Sequence, residues 1–247
     1  MPALDRFSAQ ADLYARYRID YPVELYDFLL AQVPRRVRAW DCATGNGQVA
    51  AVLATYFEHV DATDISQAQL AQAPALPNIT YQLSSAEHTP FADSSFDLIT
   101  VAQALHWFDQ EAFNQEIRRV GHPGATIAEW GYGLVHISPE LDPLIQKFHD
   151  ETMGPYWDDN RWHIVDEYAR LPFPFAQVRQ AHFPVRRQWS AEWFLNYLRT
   201  WSSVAKYQKQ HNQQDPVLLI ADELTQLWGA GERELQFPVF LRTGLIE

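Results

Sequence analysis

Over its first half, the chain alternates between short apolar segments and longer segments in which apolar residues recur every three or four positions. The first pattern is typical of buried strands and the second of amphipathic helices. The predicted strands are 36–43, 59–64, 78–85, 95–105 and 125–132. The predicted helices are 7–18, 22–33, 47–57, 66–76 and 109–120. This alternation predicts an α/β fold with a doubly wound, mostly parallel sheet.

The second half of the chain has a different pattern and is rich in aromatic residues. Segments 138–170 and 190–228 have mainly helical spacing, whereas 176–189 and 234–246 are predicted to be strands, which makes seven in all. Proline lacks the amide hydrogen that a central strand needs, so Pro238 predicts a sheet edge or a bulge in the last strand.

The length and the hydrophobic content suit one large domain built on this sheet. The chain has 247 residues, of which 47% are hydrophobic, which is enough for a full core. We expect residues 1–135 to form a cofactor-binding α/β core with an N-terminal cap helix. We expect residues 136–247 to form a helical substrate or lid subregion, together with the closing strands of the same sheet.

Charge and cysteine content narrow the range of partners. The formal net charge is −12 and no run of Lys or Arg is present, so a phosphate backbone is disfavoured as a partner. The single cysteine, Cys42, allows no internal disulfide and no zinc site built on thiolates. No apolar segment suits a secretion signal or a membrane span. We expect a cytoplasmic protein with no metal and no nucleic-acid or membrane partner; the pattern does not predict an oligomeric state.

The stretch "WDCATGNGQVA" (40–50) joins the first predicted strand to a helix and can be read in two ways. From Gly45, it fits the dinucleotide pattern G-x-G-x-x-G/A, which would place Asp41 inside a buried strand at a high cost. From Asp41, it is an acid followed by glycines, and the carboxylate would end the strand and face the ligand crevice. The second interpretation favours S-adenosylmethionine, which has an ammonium, a sulfonium and a ribose diol but no phosphate.

Asp64 ends the next predicted strand and is placed to accept both hydroxyls of a ribose. A nicotinamide dinucleotide would use an acid at this position too, so Asp64 alone does not choose between the cofactors. Two alternatives therefore stay open beside a methyltransferase. One is an NAD-dependent oxidoreductase, and the other is a cofactor-binding module without turnover, for which Ala43 is the one indication.

Several motifs in the same order resemble those of the class I S-adenosylmethionine-dependent methyltransferases, and in particular their small-molecule branch, which includes the trans-aconitate methyltransferases. These motifs are "YARYRIDYP", "DCATGNGQ", "DATDIS", "SSAEHTPFADSSFDLITVAQALHWFD" and, late in the chain, "FLNYLRTWSS". The resemblance implies a Rossmann-like methyltransferase fold, S-adenosylmethionine as the cofactor and a small-molecule methyl acceptor.

The resemblance also implies a set of cofactor-binding residues. They are Tyr14, Arg18, Asp41, Ala43, Gly45, Gly47, Asp64, Ile65, Ala86, Glu87 and Gln103. Two positions depart from the family pattern. Ala43 replaces a glycine, which is tolerable if its φ is negative, and Ile19 replaces a proline that often follows the arginine.

The candidate acceptor site lies at the ends of the fourth and fifth predicted strands. His106 is placed to orient or deprotonate an acceptor, or else to cap a loop; a carboxylate acceptor would need no base. Trp107, Trp130 and Tyr132 are candidate walls of a substrate pocket, with core packing as the alternative for each. Arg199 is the candidate that binds an anionic substrate, with a surface salt bridge as the alternative.

Overall fold

The computed structural model describes residues 16–247, and these residues form one seven-stranded sheet with the order β3-β2-β1-β4-β5-β7-β6. Neighbouring strands from β3 to β5 run parallel, whereas β7 is antiparallel to both β5 and β6. The strands are β1 Arg38–Cys42, β2 His59–Asp64, β3 Ile79–Leu83, β4 Phe96–Ala102, β5 Gly121–Tyr132, β6 Ala176–Ser190 and β7 Glu232–Leu245. The predicted mostly parallel seven-stranded α/β sheet is confirmed.

Helices lie before, between and after the strands. In the described residues, the α-helices are α1 Val23–Leu30, α2 Gln48–Leu53, α3 Gln67–Leu70, α4 Gln110–Val120, α5 Asp142–Lys147, α6 Trp162–Val165, α7 Ala191–Arg199, α8 Ser202–Gln210 and α9 Leu218–Trp228. A π-helix, Phe148–Thr152, continues α5, and short 3-10 helices span Leu105–Trp107, Gly154–Tyr156 and Asp159–Arg161. Tyr14 and most of the predicted helix 7–18 lie outside the described residues.

Helix α4 shows how the sequence pattern becomes local structure. The Asp109 side chain caps its start by accepting hydrogen bonds from the backbone N–H groups of Glu111 and Ala112, both at 3.2 Å. Phe113, Ile117 and Val120 follow at helical spacing and have no exposed surface. The cap satisfies orphan donors and the apolar stripe buries against the sheet, so α4 forms close to its predicted bounds.

The core lies on both faces of the sheet. Leu98 and Ile99 are consecutive residues of β4 with no exposed surface, and they belong to two different hydrophobic clusters. Successive side chains of a strand point to opposite faces, so each cluster covers one face. This arrangement is the double winding that the alternation of elements predicts.

The prediction that Pro238 marks a sheet edge or a bulge is wrong. Strand β7 lies between β5 and β6, and the register shift in its pairing with β6 falls near Ala176, far from Pro238. The carbonyl oxygen of Pro238 accepts from the backbone N–H of Gly133 at 3.0 Å, just past the end of β5. The missing N–H of Pro238 therefore faces a place where β5 has already ended, and no ladder bond is lost there.

The helical subregion consists of shorter pieces than its spacing predicts. Between β5 and β6, the helical turns are α5, the π-helix, two 3-10 helices and α6. Pro155 lacks an N–H and interrupts this run. The strands β6 and β7 return to the sheet formed by the first half, as expected of the closing strands. The division at residue 135 stays a prediction. Among residues 16–247, no helix combines the length and the apolarity that crossing a bilayer requires.

Candidate active site

The loop between β1 and α2 has a backbone that alternates into the left-handed region. The φ angles of Ala43, Gly45 and Gly47 are +54°, +58° and +77°. A Cβ atom at Gly47 would lie 2.6 Å from the hydroxyl of Tyr81, so this position has room for glycine alone. Ala43 does not meet the condition of a negative φ. An L-residue in this conformation costs about 1–2 kcal/mol, so the loop carries strain at Ala43.

The Asp41 carboxylate is turned into the protein. It has no exposed surface, and it accepts hydrogen bonds from the Thr100 hydroxyl at 2.8 Å, from the Ala50 backbone N–H at 3.1 Å and from the Thr44 hydroxyl. Burial raises the pKa of Asp41 to about 6, against these hydrogen bonds, which lower it. The carboxylate thus ties the loop to α2 and β4.

The expectation that Asp41 ends its strand and faces the crevice is therefore corrected. Strand β1 continues to Cys42, and the buried carboxylate is stabilised by three protein donors. These hydrogen bonds offset the cost of removing the carboxylate from water. That cost was the reason for disfavouring the dinucleotide interpretation, which places Asp41 inside a buried strand. The choice between the two cofactors therefore cannot rest on Asp41.

Asp64 lies at the end of β2 and faces the same loop. One carboxylate oxygen accepts from the backbone N–H of Gly45 and the other from the backbone N–H of Ser66, both at 2.8 Å. A carboxylate has about four acceptor positions, so this half-buried group has the capacity to bind a diol while it holds the loop. The neighbouring Ile65 side chain is 39% exposed and offers an apolar surface beside the acid.

Gln103 closes the gap between β4 and β5. Its φ is +56°, and its side-chain amide accepts from the backbone N–H of Tyr132 at 2.8 Å and donates to the Tyr132 carbonyl at 3.2 Å. A Cβ atom at Gly131 would lie 2.7 Å from the amide oxygen of Gln103. Gln103 thus forms the floor of the crevice by joining the carboxyl ends of two strands, where ligands bind in such sheets.

The loop after β3 closes the opposite side of the crevice. Ala86 is buried, and the Glu87 carboxylate accepts from the backbone N–H of Asp109 at 3.2 Å. This contact ties the loop to the start of α4. The contact of Ala86 and Glu87 with the cofactor, which the resemblance implies, stays a prediction.

His106 is a buried histidine in the short 3-10 helix that follows β4. Its pKa is lowered well below the ordinary value by burial, and further by the nearby Arg161 and His163, so the ring is neutral at pH 7. Its Nδ1 has no hydrogen-bond partner among residues 16–247. The Trp107 ring lies beside it, with centroids 4.7 Å apart. A neutral imidazole of this kind can orient a polar group through a hydrogen bond.

The candidate walls at the end of β5 have different environments. Trp130 has no exposed surface and packs edge-on to Tyr21 in the core, with ring centroids 5.6 Å apart. The Tyr132 hydroxyl accepts from the Arg18 guanidinium, which also donates to the Thr200 carbonyl at 3.0 Å. The structure therefore places Trp130 in the core, and Arg18 and Tyr132 in a link between the N-terminal segment and the helical subregion.

Arg199 is engaged in a salt bridge. Its Nε lies 2.7 Å from an Asp215 carboxylate oxygen, and its Nη1 donates to the Asn196 side chain at 3.0 Å. The structure supports the salt-bridge alternative for Arg199. Because an acid of the protein already holds this guanidinium, Arg199 is a poor candidate for binding an anionic substrate.

Arg161 is the cation near His106 that sequence reasoning missed. Its guanidinium lies over the Trp157 ring, 5.1 Å from the centroid, and its Nη1 is buried without a hydrogen-bond partner in residues 16–247. The surrounding "WDDNRW" resembles a solvated loop, so no periodicity or spacing would have selected this residue. The tertiary fold alone brings it beside a histidine 55 positions earlier in the chain.

A cavity of about 260 Å³ opens next to this cluster, beyond the carboxyl end of β5. The residues that define its position come from the segment after β5, the π-helix, the 3-10 helix before α6, and β7: Gly133, Leu134, His149, Asp150, Arg161 and Phe240. His149 and Asp150 are a pair, with Nδ1 and a carboxylate oxygen 2.6 Å apart. The cavity thus combines apolar walls with a few polar groups, as small-molecule sites do.

Comparison with known proteins identifies the class to which this fold and crevice belong. Residues 40–128 match the family model described as "Methyltransferase domain". A protein of Dictyostelium discoideum, named as a proposed methyltransferase, is 31% identical over 246 residues, which cover 96% of this chain and 93% of that protein. The chain therefore belongs to the class I S-adenosylmethionine-dependent methyltransferases.

Solved structures agree with this assignment. A protein from Anaeromyxobacter dehalogenans, described as a proposed type II methyltransferase, has a TM-score of 0.83 and 36% identity; the match covers 93% of this chain and 98% of the other. A phosphoethanolamine N-methyltransferase from Haemonchus contortus, in complex with S-adenosylhomocysteine, shares the fold, with a TM-score of 0.51 and 16% identity over 96% of this chain and 57% of the other.

The residues around the β1 loop fit the cofactor that this family uses. The Asp64 carboxylate suits a ribose diol, the exposed Ile65 side chain suits the face of an adenine, and Gly47 leaves no side chain between the loop and its neighbours. Hydrogen bonds from two backbone N–H groups keep the Asp64 carboxylate aimed at the loop.

Proposed function

We propose that this methyltransferase acts on a small-molecule acceptor and that the group it methylates is a carboxylate. The observation that carries this proposal is the cavity of about 260 Å³ beyond the end of β5, with Arg161 in its lining. Ligand pockets of drug-sized molecules begin at about 300 Å³, so the cavity suits a small acid better than a segment of a macromolecule. The resemblance to the branch that includes the trans-aconitate methyltransferases supports the same substrate class.

For the cofactor, the proposal assigns separate roles along the crevice. Asp64 accepts the ribose hydroxyls, Ile65 and Ala86 contact the adenine, and Glu87 lies at its edge. The loop of Ala43, Gly45 and Gly47 surrounds the methionine part, as the resemblance implies. Asp41 and Gln103 act from behind this loop, since their side chains bind the protein backbone and hydroxyls. Tyr14, outside the described residues, and Arg18 belong to the segment proposed to cover the site.

The chemistry of the transfer fits a site without a charged base. When bound, S-adenosylmethionine supplies a methyl group on a positively charged sulfur and leaves as the neutral thioether S-adenosylhomocysteine. A carboxylate oxygen of the acceptor forms the new C–O bond as the C–S bond breaks, so an ester results and no proton is released. Proximity and orientation can supply most of the catalysis for such a displacement. His106, buried and neutral, contributes a hydrogen bond that orients the acceptor.

Two features support further parts of the proposal. A net charge of −12 without a basic run disfavours nucleic acid as a partner. A single cysteine, free and buried, suits a reducing cytoplasmic environment. Membership of the methyltransferase family removes the alternative of an NAD-dependent oxidoreductase. The other alternative, a cofactor-binding module without turnover, would bind the cofactor but methylate no acceptor.

Two measurements on the purified protein test the proposal. Calorimetric titration with S-adenosylhomocysteine should show saturable binding, and titration with NAD should show none. Incubation of S-adenosylmethionine with a panel of small carboxylic acids, followed by mass spectrometry, should reveal a mass increase of one methylene on at least one acid. Binding without any methyl ester would favour the module without turnover, and methylation of amines or phenols alone would contradict the carboxylate assignment.

A further inference from the structure

Arg161 is a largely buried cation that lacks an acidic partner among residues 16–247. Its side chain lines the cavity, and its Nη1 has almost no exposed surface and no hydrogen-bond partner there. No carboxylate of the described residues lies within 4.0 Å of it, since none forms a salt bridge with it. A buried charge is costly unless it is paired. An anion from outside residues 16–247 would therefore be a favourable partner for Arg161.

Two of the acids near Arg161 in the chain are held by another cation, whereas Asp159, two residues before Arg161, forms no salt bridge with it among residues 16–247. Asp158 lies 3.6 Å from Lys206, and Asp166 lies 2.5 Å from Arg170. Across the cavity, Asp150 binds His149 at 2.6 Å. Asp158 and Asp166 are thus already paired with other cations, and turning either side chain toward Arg161 would break an existing ion pair.

The other neighbours of Arg161 leave a guanidinium that is positioned but not neutralised. Trp157 lies under its plane at 5.1 Å, which is a favourable cation–π distance. The hydroxyls of Tyr132 and Tyr197 and the guanidinium of Arg18 are close enough to affect the pKa of Arg161. Arg161 is in turn close enough to help lower the pKa of His106. Arg161 therefore connects the crevice side of the site, where Tyr132 and His106 lie, with the cavity.

We infer that Arg161 is the residue that recognises the acceptor, by binding a carboxylate of it through two parallel N–H···O hydrogen bonds. The guanidinium fork matches the geometry of a carboxylate, and an anion there completes the missing charge partner. This inference rests on the proposed function, and it adds the residue and the charge that select the substrate. Arg199, by contrast, is already bound to Asp215 and leaves acid recognition to Arg161.

The experiment compares two arginine variants of the full chain. Arg161→Met removes the charge and keeps an unbranched side chain over Trp157, and Arg199→Met is the matched control at a paired arginine. Both variants and the wild type are first titrated with S-adenosylhomocysteine by calorimetry. If the wild type does not bind S-adenosylhomocysteine, the proposed function is contradicted. This result would be seen before any acid is added, so it is distinct from a failure of the inference about Arg161.

The probes are succinate and benzoate, each compared with its amide, and phenyl phosphate, all added to protein saturated with S-adenosylhomocysteine. In the wild type and in Arg199→Met, we expect at least one acid to bind about tenfold or more tightly than its amide, which corresponds to a single charge-assisted hydrogen bond. In Arg161→Met, the acid and the amide should bind equally, while S-adenosylhomocysteine binding stays unchanged.

Three outcomes would overturn the inference. In the first, the wild type binds the acid and its amide equally, or binds every acid with a dissociation constant above about 10 mM. Another is an acid preference that persists in Arg161→Met or disappears in Arg199→Met. The third is phenyl phosphate binding in preference to both acids, which would make the site a phosphate site. Thermal unfolding supplies the folding control, because removal of an unpaired buried charge should not lower the melting temperature of Arg161→Met.

Discussion

Glu129 of β5 and Arg242 of β7 form an ion pair, with 2.7 Å between Nε and a carboxylate oxygen, that is almost fully closed off from solvent. The two residues lie directly opposite each other in the antiparallel register. Arg242 also donates to the backbone carbonyls of Tyr168 and Leu171, at 2.8 and 3.2 Å. The pair therefore connects the antiparallel part of the sheet to the segment that carries Arg161 and lines the cavity.

A double-mutant cycle should show that this pair couples strongly. Arg242→Met leaves the Glu129 carboxylate buried without a cation, and we expect a loss of about 3–5 kcal/mol in the free energy of unfolding. The double variant Glu129→Leu/Arg242→Met removes both charges and should lose clearly less than the sum of the two single variants. Urea denaturation measures each value. Additive losses would show that the two side chains contribute independently.

Replacement of Ala43 should relieve strain in the cofactor loop. Ala43 has a φ of +54°, so Ala43→Gly removes about 1–2 kcal/mol of steric cost and adds part of that back as unfolded-state entropy. We expect a net gain of about 0.5–1 kcal/mol in the free energy of unfolding. The control is Ala51→Gly within α2, which should lose about 0.5–1 kcal/mol. A loss at both positions would contradict the strain assigned to Ala43.

Asp64 should be essential for cofactor binding. Asp64→Ala removes the acceptor proposed for the ribose diol and also the bond that holds the Gly45 backbone N–H. Hydrogen bonds to charged groups contribute about 1.5–3 kcal/mol each, so the affinity for S-adenosylhomocysteine should fall at least about a hundredfold. Calorimetry measures the change. The control is Asp61→Asn, because Asp61 is an acid of the same strand that binds Arg38. Wild-type affinity for S-adenosylhomocysteine in Asp64→Ala would contradict the role assigned to Asp64.

Asp41 should make the stability of the fold depend on pH in a defined direction. Its folded-state pKa is raised to about 6 by burial, against an ordinary value of about 3.9 in the unfolded chain. The native state then binds more protons than the unfolded state between these values, so stability falls as the pH rises through this interval. We expect Asp41 to account for a loss on the order of 2 kcal/mol between pH 4 and 7.

The variant Asp41→Asn isolates this effect from those of the other titrating groups. It keeps the shape of the side chain but has no charge to bury, so its stability should decline less than that of the wild type over the same pH interval. Chemical denaturation at several pH values gives both curves. Parallel curves would show that the Asp41 pKa is not raised in the folded protein.

Much of the geometry around the proposed cofactor site could be predicted from local sequence. The order of strands and helices, the loop from Ala43 to Gly47 and the acid at the end of β2 all follow from patterns within a few residues. Helical and strand periods, glycine at left-handed positions and caps are properties of short segments. The same patterns made Asp64 recognisable, but they did not show which way the Asp41 carboxylate points.

The proposed acceptor half depends on contacts between distant segments, and single-sequence reasoning did not select Arg161 there. Arg199 and Arg161 both lie in aromatic segments, and only the fold pairs Arg199 with Asp215 while it brings Arg161 near His106. Likewise, Trp130 and Tyr132 are two residues apart on β5, but one is enclosed in the core and the other binds Arg18.

The sequence by itself determined the class of the fold, the number of strands and the position of the glycine-containing loop after β1, because each of these follows from short-range periodicity and turn chemistry. The tertiary structure decided that β7 lies between β5 and β6 around Pro238, that Asp41 is buried, and that Arg161 has no acidic partner in the described chain. These features depend on which groups meet across the folded chain, since the burial and pairing of a charge are set by neighbours that are far away in sequence.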